Sequence, residues 1–283
     1  MARPPRIEFP GALYLVTSAA GEGRAFFSDD RDRIRFFMTL LETVDRWRWI
    51  VHGYCLLQDR YQLLVETPEG ILSRGMRQLN GEYTQGINRR RSNSGAVVAR
   101  RFKSILVEKK TSLAEVCRYM LLAPVRESLS PTAALWAWSS LRATAGLCDP
   151  PPFLTTRDVL RRFHRNTEQA RQAFADYIRE GEENGAPLPK VHSGLWIGSE
   201  RFGAGVMALR RSGGKAPAVY EEDRPPLDSF FPPHILANRN KRNLRIYDAY
   251  SKGRYTLQEI GSFLGLHIMT ISRIVRAGEV HEN

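Results

Sequence analysis

Hydrophobic positions along the chain follow two different periods, and the switches between them mark out a succession of elements. Residues Ala12–Ser18 run apolar and β-branched at a strand period. Asp29–Trp47 then carries Ile34, Phe37, Leu40, Leu41 and Val44 at helical spacing, with Ser28 placed to cap its first turn. Two more strand-like runs, Ile50–Leu57 and Tyr61–Glu66, flank the polar pair Gln58-Asp59, which predicts a hairpin. Leu72–Arg90 reads as a basic helix, Phe102–Glu108 as a fourth strand, and Ser112–Leu122 as a helix stopped near Pro124. The order β-α-β-β-α-β-α predicts an α+β fold: a ferredoxin-like split βαβ antiparallel sheet with helices on one face.

The run Pro150-Pro151-Pro152 marks a boundary, so the expected domains are 1–149, a middle segment 150–233 and a C-terminal domain 234–283. Thr156–Phe163 and Glu168–Glu180 are helical in pattern, and a Gly/Pro-interrupted stretch follows. Near the C-terminus, Leu257–Leu264, the turn Gly265-Leu266-His267 and Met269–Arg276 predict a helix-turn-helix. Its apolar positions Ile260, Leu264, Leu266, Ile271 and Ile274 would be buried. His267, Thr270, Ser272, Arg273 and Arg276 would then face solvent or DNA, behind a basic lead-in of Arg239, Lys241 and Arg242. On pattern alone an αα-hairpin used only for packing remains the alternative. The polar tip favours DNA, because Thr, Ser and Arg side chains reach phosphates and base edges.

Charge sharpens this picture. Lys and Arg number 42 against 30 Asp and Glu, a formal net charge of +12. Between residues 69 and 126, twelve basic residues face only four acidic ones. Such local excess points to a polyanionic partner. Arg89, Arg90, Arg91, Arg100, Arg101 and Lys103 flank Asn93-Ser94-Gly95, which predicts a cationic loop able to follow a nucleic-acid backbone with strong salt dependence. No apolar run reaches the ~18 residues of a membrane span. The Ala12–Ala20 stretch lacks a basic leader and reads as a strand rather than a signal peptide, so a cytoplasmic, nucleoid-associated bacterial protein is expected. Cys55, Cys117 and Cys148 form no CxxC or CxxH pair and read as buried small side chains. His52, alone on its strand, reads as a packed or hydrogen-bonded side chain. Tyr83 and Tyr119 are equal candidates for a helical tyrosine nucleophile at this point.

Six ordered blocks carry a resemblance: MARPPRIEFPGALYLVTS, YCLLQDRYQLLVETPEG, LSRGMRQLNGEYTQGINRR, RFKSILVEK, CRYMLLAPVRESL and WAWSSLRA. Over about residues 1 to 147 the chain resembles the REP-associated tyrosine transposases, within the IS200-like single-tyrosine HUH-type group. The resemblance implies a tyrosine that attacks single-stranded DNA to form a 5′-phosphotyrosine. It also implies a divalent metal held by a His-hydrophobic-His strand pair and a polar residue four positions after the tyrosine. Residues i and i+2 of a strand, and i and i+4 of a helix, share a face.

The nucleophile of that pattern falls on Tyr119, the strand pair on Arg60 and Gln62 around Tyr61, and the third ligand on Ala123. All three metal ligands are therefore replaced. Arginine cannot bind a cation, glutamine offers a weak neutral oxygen and alanine nothing. Losing metal polarisation of a phosphate costs roughly a thousandfold in rate or more. The expected protein thus binds hairpin or palindromic DNA with weak or no strand cleavage, and Arg60 acts as a fixed cation in place of the metal. No cofactor is expected; Mg²⁺ or Mn²⁺ would enter only through a displaced site supplied by Glu66 or Asp59. The alternatives are an active transposase cutting through Tyr119 and an RNA-binding module. The expected partners are single-stranded hairpin or duplex DNA and no membrane, with a homodimer left open.

Overall fold

The computed structural model describes residues 6–21, 24–91, 97–98, 101–212, 225–253 and 255–282. Arg100 and the Asn93-Ser94-Gly95 turn of the predicted cationic loop lie outside the described residues. The chain forms two compact units: Ala12–Thr67 with Leu72–Val206, and Met207–Asn283 with Met1–Gly11 and Pro68–Ile71.

The first unit begins with β1 (Ala12–Ala19), α1 (Asp30–Trp47), β2 (Ile50–Leu56), β3 (Arg60–Thr67), α2 (Leu72–Arg91), β4 (Lys103–Val107) and α3 (Lys109–Leu121). Short helices α4 (Ala123–Arg126), α5 (Leu141–Thr144) and α6 (Arg157–Leu160) precede the long α7 (Thr167–Asn184). Strand β5 (Trp196–Ile197) and helix α8 (Glu200–Arg211) follow. The sheet order is β2-β3-β1-β4-β5. β1 pairs antiparallel with β3 on one side and β4 on the other, and β2 pairs antiparallel with β3. The two β-α-β stretches interleave, each leaving room for one strand of the other. β5 joins β4 in parallel, a fifth strand that the short, irregular sequence around it does not announce.

Helices cover both faces of the sheet, not one as the element order suggested. On one face, Phe26 and Tyr83 of α2 stack with centroids 5.0 Å apart, and Tyr61 of β3 meets Phe26 at 5.2 Å and Phe36 of α1 at 4.5 Å. On the other, Leu13, Leu15, Leu64 and Val107 join Leu113, Val116 and Met120 of α3 and Phe174 and Ile178 of α7 in one buried cluster. Coverage of both faces explains why β1 and β3 are buried almost throughout rather than on alternate residues.

Two local devices set these helices. The cap of α1 is Asp29, not Ser28: its carboxylate accepts from the Asp32 backbone N–H at 3.0 Å, while the Ser28 N–H donates to Asp32. β2 bulges between Val51 and Gly53, and a Cβ on Gly53 would lie 2.7 Å from Met120 Cε, so glycine admits α3 onto the sheet.

The second unit holds α9 (Leu227–Phe230), α10 (Pro233–Leu236), α11 (Arg239–Ser251), α12 (Leu257–Leu264) and α13 (Ile268–Glu282). Asn238 caps α11, and Thr256 with Glu259 forms a reciprocal capping box at α12. Gly265 closes α12 at φ 63°, a left-handed turn that glycine adopts without strain. Ile246, Tyr250, Leu257, Ile260, Ile271 and Val275 make the core, with Leu264, Leu266 and Ile274 half-buried against it. α13 runs beyond the predicted Met269–Arg276 at both ends.

Candidate nucleic-acid interface

Arg60 opens β3, and Gln62 follows two residues on, across from Thr17 of β1 and Cys55 of β2. Tyr61 between them points into the aromatic cluster with α1 and α2, which turns Arg60 and Gln62 toward the α3 face. The Arg60 guanidinium is shared between two carboxylates. Nη1 donates to Asp59 at 2.8 and 2.9 Å, and Nη2 is ion-paired with Glu127, just after α4. Tyr119 lies half-buried near the end of α3. Arg126 places its guanidinium 4.1 Å from the centre of the Tyr119 ring and donates to the Tyr119 carbonyl at 3.1 Å. The charges of Glu127, Arg60 and Arg126 all act on the buried Cys55 thiol, which burial first of all pushes up to about 12.

Neighbouring packing fixes α3. Arg118 stacks on Tyr177 of α7 at 3.9 Å, and Gly181 of α7 is close enough that a Cβ would meet Leu122 at 2.7 Å. Pro124 at the start of α4 breaks the helix after Leu121, yet Arg126 and Glu127 still bond back to Leu122 and Ala123. The break carries Arg126 and Glu127 round to the strand carrying Arg60.

This donor set does not fit a divalent metal. Ala123 is fully buried without a ligand atom and Arg60 is cationic; only Gln62 offers an oxygen, buried and without a hydrogen-bond partner. A second group, His52, Glu66 and Asp158 of α6, brings its ligand atoms within 4.8 Å of one another. Lys109, at the start of α3, fills it. Its ammonium lies 2.5 Å from Glu66 and 2.6 Å from Asp158, and His52 Nε2 lies 2.8 Å from Glu66. Burial raises both carboxyls, but for Glu66 the His52 hydrogen bond and the Lys109 charge carry it down to about 2. Lys109 does the same for Asp158. With an ammonium between the carboxylates, this is a closed ion network rather than a cation site. Glu66 is therefore committed to structure, and Asp59 to Arg60. His52 is fully buried, in keeping with a hydrogen-bonded strand histidine. Lys109 and Asp158 carry no sequence signal, because 49 residues separate them.

The predicted cationic residues divide. Arg90 pairs with Asp29 at 2.9 Å and Asp32 at 2.5 Å, and Arg91 also pairs with Asp32, whose side chain is fully buried. These two arginines tie the end of α2 to the start of α1, while Arg89, Arg101 and Lys103 are exposed. Tyr83 is fully buried and donates to the Phe26 carbonyl at 2.8 Å; burial raises its phenol, which removes it as a nucleophile. In the second unit Arg239, Lys241, His267, Arg273 and Arg276 are exposed, and Arg242, Thr270 and Ser272 half-buried. The Met269 N–H donates to His267 Nδ1 at 3.3 Å, so His267 caps α13. No helix among the described residues is long and apolar enough to cross a membrane.

No family model matches the chain, and no curated protein matches it in sequence. Among solved structures it is similar to one described as a REP-associated tyrosine transposase bound to a REP hairpin. Identity is 12% and the TM-score 0.46, over 52% of this chain and 86% of that one.

Proposed function

We propose that the chain is a DNA-binding protein built on the scaffold of a single-tyrosine transposase, recognising hairpin or palindromic DNA with little or no strand cleavage. The feature that carries this reading is that the positions on which the resemblance places the metal ligands hold Arg60, Gln62 and Ala123, none of which suits a divalent cation, while Tyr119 is kept. A guanidinium binds a phosphodiester through paired N–H groups but supplies no metal-activated electrophile. Tyr119 therefore keeps its place without the activation a phenol needs near neutral pH. The interleaved β-α-β order supports reading the sheet as ferredoxin-like. The Gly265 turn and the exposed polar tip of α13 support reading α12 and α13 as a helix-turn-helix that meets duplex DNA. In this division Arg60, Arg89, Arg101 and Lys103 serve single-stranded or hairpin DNA, and Arg239, Lys241, Arg273 and Arg276 the duplex.

Fluorescence anisotropy with labelled DNA hairpins, duplexes and RNA hairpins tests the reading. DNA hairpins are expected to outcompete RNA hairpins, and Arg60→Gln is expected to weaken hairpin binding about tenfold. Preference for RNA would instead favour a nucleic-acid module of another kind.

A further inference from the structure

We propose that Arg60 and Arg126 form a two-guanidinium clamp for one backbone phosphate of single-stranded DNA, and that Glu127 holds the clamp shut by occupying Arg60 as an internal phosphate mimic. The inference rests on the DNA-binding reading and names a ligand group, a second binding residue and a displaceable occupant for that surface.

Glu127 brings an anion to the group on β3 best able to receive one. A carboxylate and a phosphate present the same paired oxygens to a guanidinium. Arg60 keeps Asp59 on its other edge, and Glu127 takes Nη2. The occupant is weakly held: the Arg60 and Glu127 side chains are 24% and 31% accessible, and pairs open to water contribute little stability. A phosphodiester arriving with further backbone contacts can therefore displace it. The second arm precedes the occupant in the chain. Arg126 is exposed, lies across the Tyr119 ring and is oriented by its bond to the Tyr119 carbonyl. Arg126 directly precedes Glu127, so the Arg60–Glu127 ion pair brings the residue bearing the second guanidinium to the start of β3. Once Glu127 swings away, the group of Arg60, Arg126, Asp59 and Glu127 changes from two cations and two anions to two cations and one anion, a net positive charge that suits a phosphate beside the tyrosine. The left-handed backbone at Ser128, φ 57°, ends the turn carrying Glu127 immediately after it.

The test is anisotropy with a fluorescein-labelled thymidine 20-mer at low salt, comparing the full chain with Glu127→Gln, Arg126→Gln, Arg60→Gln and Glu127→Gln/Arg60→Gln. Asp176→Asn, on α7, controls for loss of one negative charge elsewhere. Thermal melts establish that each variant is folded; the substituted side chains are all at least partly exposed. Glu127→Gln is expected to tighten binding about fivefold and Arg126→Gln to weaken it about tenfold. In the Arg60→Gln background the gain from Glu127→Gln is expected to vanish, because the occupant then has nothing to release. A gain that persists there, a gain matched by Asp176→Asn, or no gain at all overturns the clamp while leaving DNA binding intact. Failure of the folded wild-type chain to bind any DNA removes both the clamp and the reading on which it rests.

Discussion

Arg60 stands at a strand position where the resembled pattern has an imidazole, and its two carboxylate partners show what it is suited to hold: an anion rather than a metal. Ala123 is the less forgiving replacement. It is fully buried, so restoring a polar ligand there by Ala123→Asn inserts an amide into filled space. A loss of about 1–3 kcal/mol is expected, measured as a shift in the denaturant midpoint. Arg60 is partly open to solvent whereas Gln62 is itself buried, so Arg60→His is the replacement the fold should accept most readily. Tyr83 gives the opposite lesson. Apart from the resemblance it equals Tyr119 as a candidate in the sequence, because both are helical tyrosines in basic surroundings. Only the fold separates a phenol buried against Phe26 from one that is half-open beside Arg126. Tyr83→Phe is expected to cost about 1 kcal/mol of stability through its lost hydrogen bond and to leave DNA binding unchanged.

Elements show where sequence periodicity suffices and where it does not. The first four strands and α1, α2, α3, α7 and α12 fall close to their predicted ranges, since each carries enough apolar residues at one period to declare itself. β5 has two residues and pairs through β4, so no local pattern could reveal it. Coverage of both sheet faces was equally hidden, because the periodicity of α3 does not say which face it takes and α7 joins it there from beyond Pro152. Glycine choices inside helices are a further tertiary effect. In α2 a Cβ on Gly75 would lie 2.2 Å from the rigid Trp49 ring. Gly75→Ala gains ~1 kcal/mol in helix propensity, yet overpacking costs typically 1–3, so net destabilisation is expected in a chemical melt.

The ion network at the start of α3 adds a pH signature. Glu66 and Asp158 are held near 2, below their ordinary values, so their contribution is full above about pH 5 and lost as pH falls towards 2. An acid titration followed by circular dichroism should show unfolding in that window. Lys109→Met, which leaves buried Glu66 beside a part-exposed Asp158 without their shared cation, should move it to higher pH and destabilise the fold by about 1–3 kcal/mol at neutrality.

At the scale of the whole molecule, positive charge is spread over two units, and the proposed division of labour makes them separable. Arg273→Ala/Arg276→Ala on α13 should weaken duplex binding and reduce its salt slope by about two, with hairpin binding largely kept. An equal loss on both probes would show that α13 does not read duplex DNA. In the sequence the proposed site is legible only through the resemblance, which groups Tyr119 with Arg60, Gln62 and Ala123. What filled the gap was not legible: Glu127 is 67 residues from Arg60, and Arg126 meets Tyr119 only because Pro124 breaks the helix between them. The most direct measurement incubates the full chain with labelled single-stranded DNA hairpins in Mg²⁺, Mn²⁺ or EDTA and resolves the products on native and denaturing gels, with Tyr119→Phe alongside. The expected result is retarded DNA that remains uncut and unattached under every metal condition. A metal-dependent covalent adduct that disappears in Tyr119→Phe would contradict the account and make the chain an active strand transferase.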